Sequence, residues 1–110
     1  MDKKEFEKSK IFDVNSLIEY ANEGIVSKTI INKSSGTITL FAFDKGESLS
    51  EHTAPFDALV HVIDGKANII INKQKHTLKA GESIIMPANI PHAVEAIERF
   101  KMELVMIKEK

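Results

Sequence analysis

Leu59-Val60-His61-Val62-Ile63-Asp64-Gly65-Lys66-Ala67-Asn68-Ile69-Ile70-Ile71 is the stretch that decides the fold. Two apolar runs rich in β-branched residues flank Asp64-Gly65, a dipeptide that favours a tight turn with positive φ, so the stretch reads as two strands joined in a hairpin. The same alternation of strand and turn continues outward. On the N-terminal side, residues 37–43 lie between the turns Lys33-Ser34-Ser35-Gly36 and Asp44-Lys45-Gly46, and residues 25–31 form a further β-branched run. On the C-terminal side, Asn72-Lys73-Gln74-Lys75 and Lys79-Ala80-Gly81 separate short strands at 76–78 and 83–86, and residues 90–97 and 101–107 complete the series. Turn signals recur about every eight to twelve residues with no second helix-length pattern, which predicts an antiparallel sandwich or barrel.

Before residue 25 the pattern differs. Residues 1–10 are charged, with Phe6 the apolar exception, and read as a solvated arm. Residues 12–20 read as one short helix, capped by Asp13 with Phe12 stapled on Leu17, or by a rival Ser16–Glu19 capping box; Asn22-Glu23-Gly24 stops it. The chain therefore divides into an N-terminal arm and short helix (1–24) and a β-barrel (25–110). The runs at 69–71 and 84–86 are apolar on both faces. One face then fills a barrel and the other packs on something else, either the N-terminal segment or a second subunit, so a homodimer is expected.

Composition sets the outer limits. The chain has 110 residues, enough for one core, and 43 % hydrophobic with 28 % charged residues is ordinary for a soluble domain. Fifteen basic residues balance sixteen acidic ones, and Arg99 is the only arginine, so the basic surplus and bidentate arginines of nucleic-acid binders are absent. Cysteine is absent, which excludes thiol catalysis, disulfides and cysteine-ligated metals. The longest uncharged run, 83–94, is too short for a membrane span and contains Pro87 and Pro91. No apolar stretch follows the charged start, so no signal peptide is read and a cytoplasmic location is expected. No Gly-rich phosphate loop and no Ser/His/Asp spacing of a known hydrolase is present.

A faint internal echo links Gly46-Glu47-Ser48-Leu49 with Gly81-Glu82-Ser83-Ile84, each after a lysine-containing turn and before a Pro and a His. Two similar half-barrels would produce such an echo.

Gly46, His52 and Gly65, with Gly81, Pro87 and His92, stand at spacings that resemble the two motifs of the cupin family, G-x5-H-x-H-x3-E-x6-G and G-x5-P-x-G-x2-H-x3-N. The resemblance covers about residues 25–107 and is closest to small single-domain, RmlC-like cupins. It implies an all-β double-stranded β-helix, a jelly-roll-like barrel, with one short N-terminal helix. It also implies dimers and a metal held by three His and one Glu. Only two of those ligands are matched: His52 stands at the first His and His92 at the last, whereas Ala54 replaces the second His and Ala58 the Glu. Asn89 replaces the second-motif Gly, a mild change because Asn tolerates positive φ. Ala96 replaces the Asn.

Two imidazoles fall short of the three protein ligands of a catalytic zinc or the two His and one carboxylate of a non-haem iron site. Asp57 and His61 are out of phase with Ala58, Val60 and Val62, and Glu51 is out of phase with His52, unless a β-bulge brings one inward. His76 lies beside a turn and reads as surface. Ala54 is expected on the face of His52, two residues on in an extended strand. Met102, Leu104 and Met106 share one face, suited to core packing or to lining a pocket. The candidate ligand pocket is His52, Ala54, Ala58, His92 and Met102, with Phe41, Phe43 or Phe56 as residues able to fill the space that the alanines leave. The expected function is binding of a small molecule in the barrel, with a weakly bound divalent metal (Zn, Ni, Cu, Fe or Mn) on His52 and His92. The alternatives are a metal-dependent dioxygenase or isomerase, and a metal-free epimerase-like enzyme with a His base.

Overall fold

A computed structural model describes residues 6–108. After the single turn of helix α1 (Val14–Leu17), nine strands follow: β1 (Ile25–Lys33), β2 (Gly36–Phe43), β3 (Ser48–His52), β4 (Asp57–Asp64), β5 (Lys66–Ile71), β6 (Gln74–Lys79), β7 (Ser83–Met86), β8 (His92–Ala96) and β9 (Phe100–Ile107). They form two antiparallel sheets, one of order β1-β2-β9-β4-β7 and one of order β3-β8-β5-β6. Among the described residues, no helix is long and apolar enough to cross a membrane.

The two-residue period of the strands builds the core. On β4, Ala58, Val60 and Val62 are buried while Asp57 and Leu59 are exposed. These inward residues join Phe43, Ile69, Met86, Val94, Phe100 and Met102 in one apolar cluster between the sheets. Phe43 and Phe100 stack at its centre, ring centroids 4.6 Å apart. Phe41 packs against the cluster, whereas Phe56 does not belong to it.

Three sequence expectations change. The stretch around Asp64-Gly65 is not a hairpin: β4 pairs with β7 and β9, β5 pairs with β6 and β8, and Gly65 carries the chain from one sheet to the other. Gly65 is obligatory there, with φ +82° and with the Arg99 carbonyl oxygen 1.8 Å from where a Cβ would lie. A positive-φ glycine permits a sheet switch as readily as a reversal, and the strands waiting on either side decide which occurs. The helix is also shorter than 12–20. Asp13 caps it, accepting from Asn15 N–H, but Ile18 is already extended. Burial of Ile18 against Leu40 and Ala42, on the outward face of β2, outweighs continued helix. Finally, the extended segment expected to run through His52 and Ala54 is the polar, largely exposed strand β3, which ends at His52.

The internal echo has a structural counterpart. Gly46 and Gly81 both adopt positive φ, +88° and +94°. Gly46 N–H donates to the Ala96 carbonyl and Ala96 N–H donates back to Glu47; Gly81 N–H donates to Val62 and Val62 N–H back to Glu82, all at 2.8–2.9 Å. The same turn thus docks β3 on β8 and β7 on β4.

Candidate functional site

His52 and His92 come together as a register pair across β3 and β8. A β-bulge makes this possible. Between Leu49 and His52 the register shifts, so three residues of β3 advance against two of β8. Without that extra residue, His52 would face away from Leu49, which packs on the core. The bulge also presents the Ser50 carbonyl to His52 Nδ1, 2.8 Å away. His92 Nδ1 lies 3.2 Å from the Ile90 carbonyl, and the two Nε2 atoms are 3.2 Å apart. The rings meet edge to face.

Proton counting makes the pair informative. A carbonyl only accepts, so both Nδ1 atoms carry hydrogens in these contacts. Two neutral rings have no proton left for the Nε2–Nε2 contact. Either one ring becomes imidazolium, or a cation takes both Nε2 lone pairs. Burial pushes His92 below the ordinary imidazole range; the Ile90 carbonyl opposes this and the neighbouring His52 adds to it. A proton on His92 is therefore disfavoured near neutral pH. Metal–imidazole bonds of about 2.1 Å that enclose an angle of about 100° span the observed separation, so the donor pair fits one divalent ion.

The other sequence candidates lie elsewhere. Ala54 is beyond the end of β3, in the loop that leads to β4, where its carbonyl accepts from Asn89 N–H at 2.7 Å; the expectation of an extended strand there is corrected. Asn89 has φ +64°, the left-handed conformation that Asn tolerates. Ala58 is buried between Met86 and Met106, its neighbours on the adjacent strands, and Met102 is buried in the core. The space beside Ala58 is thus flanked by methionines. Glu51 is exposed and paired with Lys73, Asp57 accepts from Ala88 N–H, and His61 Nδ1 contacts Ser83 Oγ at 2.8 Å on the outward face. His76 is half-buried on β6. Among the described residues, no third His, Cys, Asp or Glu groups with the pair.

A second polar cluster had no sequence signal, because it joins residues far apart in the chain. Tyr20 donates to Asp64 Oδ2, Arg99 donates to Asp44 and Asn22, and Lys101, buried, donates to the carbonyl of Asn15. These contacts strap the N-terminal segment onto the five-stranded sheet. The Arg99 guanidinium holds the Asp44 carboxyl down at about 2, helped by the N–H groups of Glu23 and Lys45. Burial, then the Asp64 carboxylate, push the Tyr20 phenol well above its usual range.

Residues 39–108 match the family model described as a cupin domain. A crystal structure of a conserved protein of unknown function from Streptococcus pyogenes is similar at 34 % identity, with 97 % of this chain and 94 % of that one covered and a TM-score of 0.91. A cupin 2 conserved barrel domain protein from Leptotrichia buccalis is 45 % identical over 88 % of this chain, TM-score 0.86, and this chain spans only 47 % of that one. A cupin superfamily protein from Desulfitobacterium hafniense is 28 % identical, with 99 % and 100 % covered and a TM-score of 0.89. No curated protein matches. Two antiparallel sheets, twin glycine turns and a match to nearly two-thirds of the chain lead to one conclusion: the chain belongs to the cupin family.

Proposed function

We propose that this cupin binds a small molecule at the His52–His92 mouth and holds a divalent cation there weakly, on two imidazole nitrogens. The observation that carries the reading is the Nε2–Nε2 separation of 3.2 Å, with both Nδ1 atoms engaged by carbonyls. Ala58 and Met102 close the floor with apolar side chains, so the ligand sits outward, beside His52 and Ala54. Water or polar ligand atoms complete the coordination of the ion, which supplies positive charge and Lewis acidity. His52 and His92 orient it, and their Nδ1–H bonds to Ser50 and Ile90 fix the tautomer that offers Nε2. A homodimer is the proposed assembly.

Calorimetric titration with Ni²⁺ and Mn²⁺ tests the site. Ni²⁺ binds more tightly than Mn²⁺, following the ordinary stability order, and both bind weakly. Binding fades as pH falls through about 6, because imidazole must be neutral to ligate. The double variant His52→Ala, His92→Ala loses it; an unchanged isotherm in that variant overturns the site.

A further inference from the structure

The arm encloses a hollow against the edge strand β1, outside the barrel and apart from the His52–His92 mouth. A β-bulge builds its floor. Between Thr29 and Ile31 the register shifts, so two steps along β1 match one step along β2, from Thr39 to Ile38. The extra residue turns two consecutive isoleucines to the outward face. Ile30 packs against the Ile18–Leu40–Ala42 cluster, and Ile31, opposite Ile38, lines the hollow beside it with 44 % of its surface exposed. In an unbulged strand, neighbours would point to opposite faces. The arm supplies the walls. Phe6 and Phe12 meet edge to face, ring centroids 4.7 Å apart. Ser9, midway between them, has φ +64°, the left-handed conformation that bends the arm back on itself. The enclosed space is about 400 Å³, within the range of small-molecule pockets. Its rim is basic. Lys8, Lys10 and Lys33 border it against the single carboxylate of Glu7, which lies 3.5 Å from Lys10. The chain as a whole carries −1, so this excess of cations is local.

We infer that the hollow binds the anion of a medium-chain fatty acid, with the alkyl chain on Ile30 and Ile31 between the two phenylalanines and the carboxylate among the lysines. Apolar walls and floor stabilise a ligand by taking hydrocarbon out of water. A hydrated inorganic anion would instead lose its water there without replacement. The rim cations favour a negative head group over an uncharged one. Ammonium groups are point charges on flexible stems, so they hold a carboxylate without the planar fork that arginine supplies. The walls enclose one chain rather than presenting a broad patch, which suits a single amphiphile over a bilayer surface. The inference is independent of the reading of the histidine mouth.

Two-dimensional ¹H–¹⁵N spectra of the full chain, titrated with sodium decanoate below its micelle concentration, test the site. Amides of residues 6–12 and 30–33 shift and saturate at one ligand per chain, while those of His52 and His92 stay in place. Octanoate binds up to about fifteenfold more weakly, at about fourfold per methylene, and 1-octanol binds more weakly than octanoate. Shifts confined to β3 and β8, no shift at millimolar ligand, or butyrate as tight as decanoate overturns the proposal. Ile31→Glu, a substitution at an exposed edge position, keeps its circular dichroism and loses decanoate binding. Ile85→Glu, on the opposite edge strand β7, binds as the wild type does. Retained binding in Ile31→Glu overturns the site. Cosedimentation with phosphatidylglycerol vesicles, without any response to monomeric decanoate, assigns the hollow to a lipid surface and overturns it as well.

Discussion

Two corners of this barrel share one backbone plan and carry opposite chemistry. In the first, the turn at Gly46 docks β3 on β8, and four residues before Ala96 stands His92, opposite His52. In the second, the turn at Gly81 docks β7 on β4, and four residues before Val62 stands Ala58, opposite Met86. The same framework position pair is therefore His–His in one half and Met–Ala in the other. The one extra residue in β3, its bulge, supplies the Ser50 carbonyl that orients His52. The hydrogen-bonded corner sets where two side chains meet, while side-chain identity decides whether that meeting point is polar or apolar.

The largest effect is expected from making the second corner polar. Ala58→Glu places a carboxylate between Met86 and Met106 and destabilises the metal-free protein by about 3–5 kcal/mol, the cost of a buried charge without a partner. Combined with Ala54→His, it supplies two further donors toward the histidine pair, and affinity for Ni²⁺ rises at least tenfold by calorimetry. A folded double variant with no gain shows that the two corners do not share a cavity.

Next comes truncation of each corner in turn. Met86→Ala removes a core side chain and costs about 2–4 kcal/mol in urea unfolding without changing Ni²⁺ binding. His92→Ala reverses the pattern: it abolishes Ni²⁺ binding and costs less stability than Met86→Ala. Equal stability losses break the distinction between floor and mouth.

The turns themselves sharpen the shared part. Gly46→Ala and Gly81→Ala meet no atom within 4 Å, so only the positive φ is penalised. Each costs about 1–2 kcal/mol, and the two losses agree within about 0.5 kcal/mol. A marked inequality shows that the hydrogen-bonded corners are not energetically equivalent.

The smallest effect is in pH dependence. His92 is held below its ordinary value of 6.5, so the unfolded chain binds a proton that the folded chain resists. In chelator-treated protein, the stability present above about 6.5 is lost as pH falls from there through the lower folded value. His92→Gln flattens that slope when unfolding is followed between pH 7 and 5. The Met86–Ala58 corner contains no titrating side chain, so Met86→Ala leaves the slope unchanged.

Much of this was legible from local pattern. The two-residue period on β4 places Ala58, Val60 and Val62 inward and Asp57 outward, as their spacing indicates. The substitution of Asn for Gly at position 89 announces a positive φ, and φ there is +64°. The motif spacings lead to His52 and His92, and the structure pairs those two residues. What stayed hidden depended on partners distant in the chain. Nothing near Asp64-Gly65 indicates that β4 and β5 belong to different sheets, since that follows from β9 and β8 lying beside them. Nothing in Ser48-Leu49-Ser50-Glu51-His52 marks a bulge, because a bulge is a mismatch between two strands and β8 supplies half of it. The strap of Tyr20, Asp64, Arg99 and Asp44 escaped for the same reason.

The sequence by itself determined the all-β class, the positions of most turns, the family and the two histidines, because each of these is written in short-range periodicity, glycine and proline punctuation, or fixed motif spacing. Only the tertiary structure decided that those histidines approach with both Nδ1 atoms committed, that methionines close the floor beside Ala58, and that two phenylalanines of the arm wall a hollow over the bulge in β1. Each of these is a distance between side chains carried by different segments. Such distances are set by register, bulges and sheet twist, which arise when strands far apart in the chain pack together.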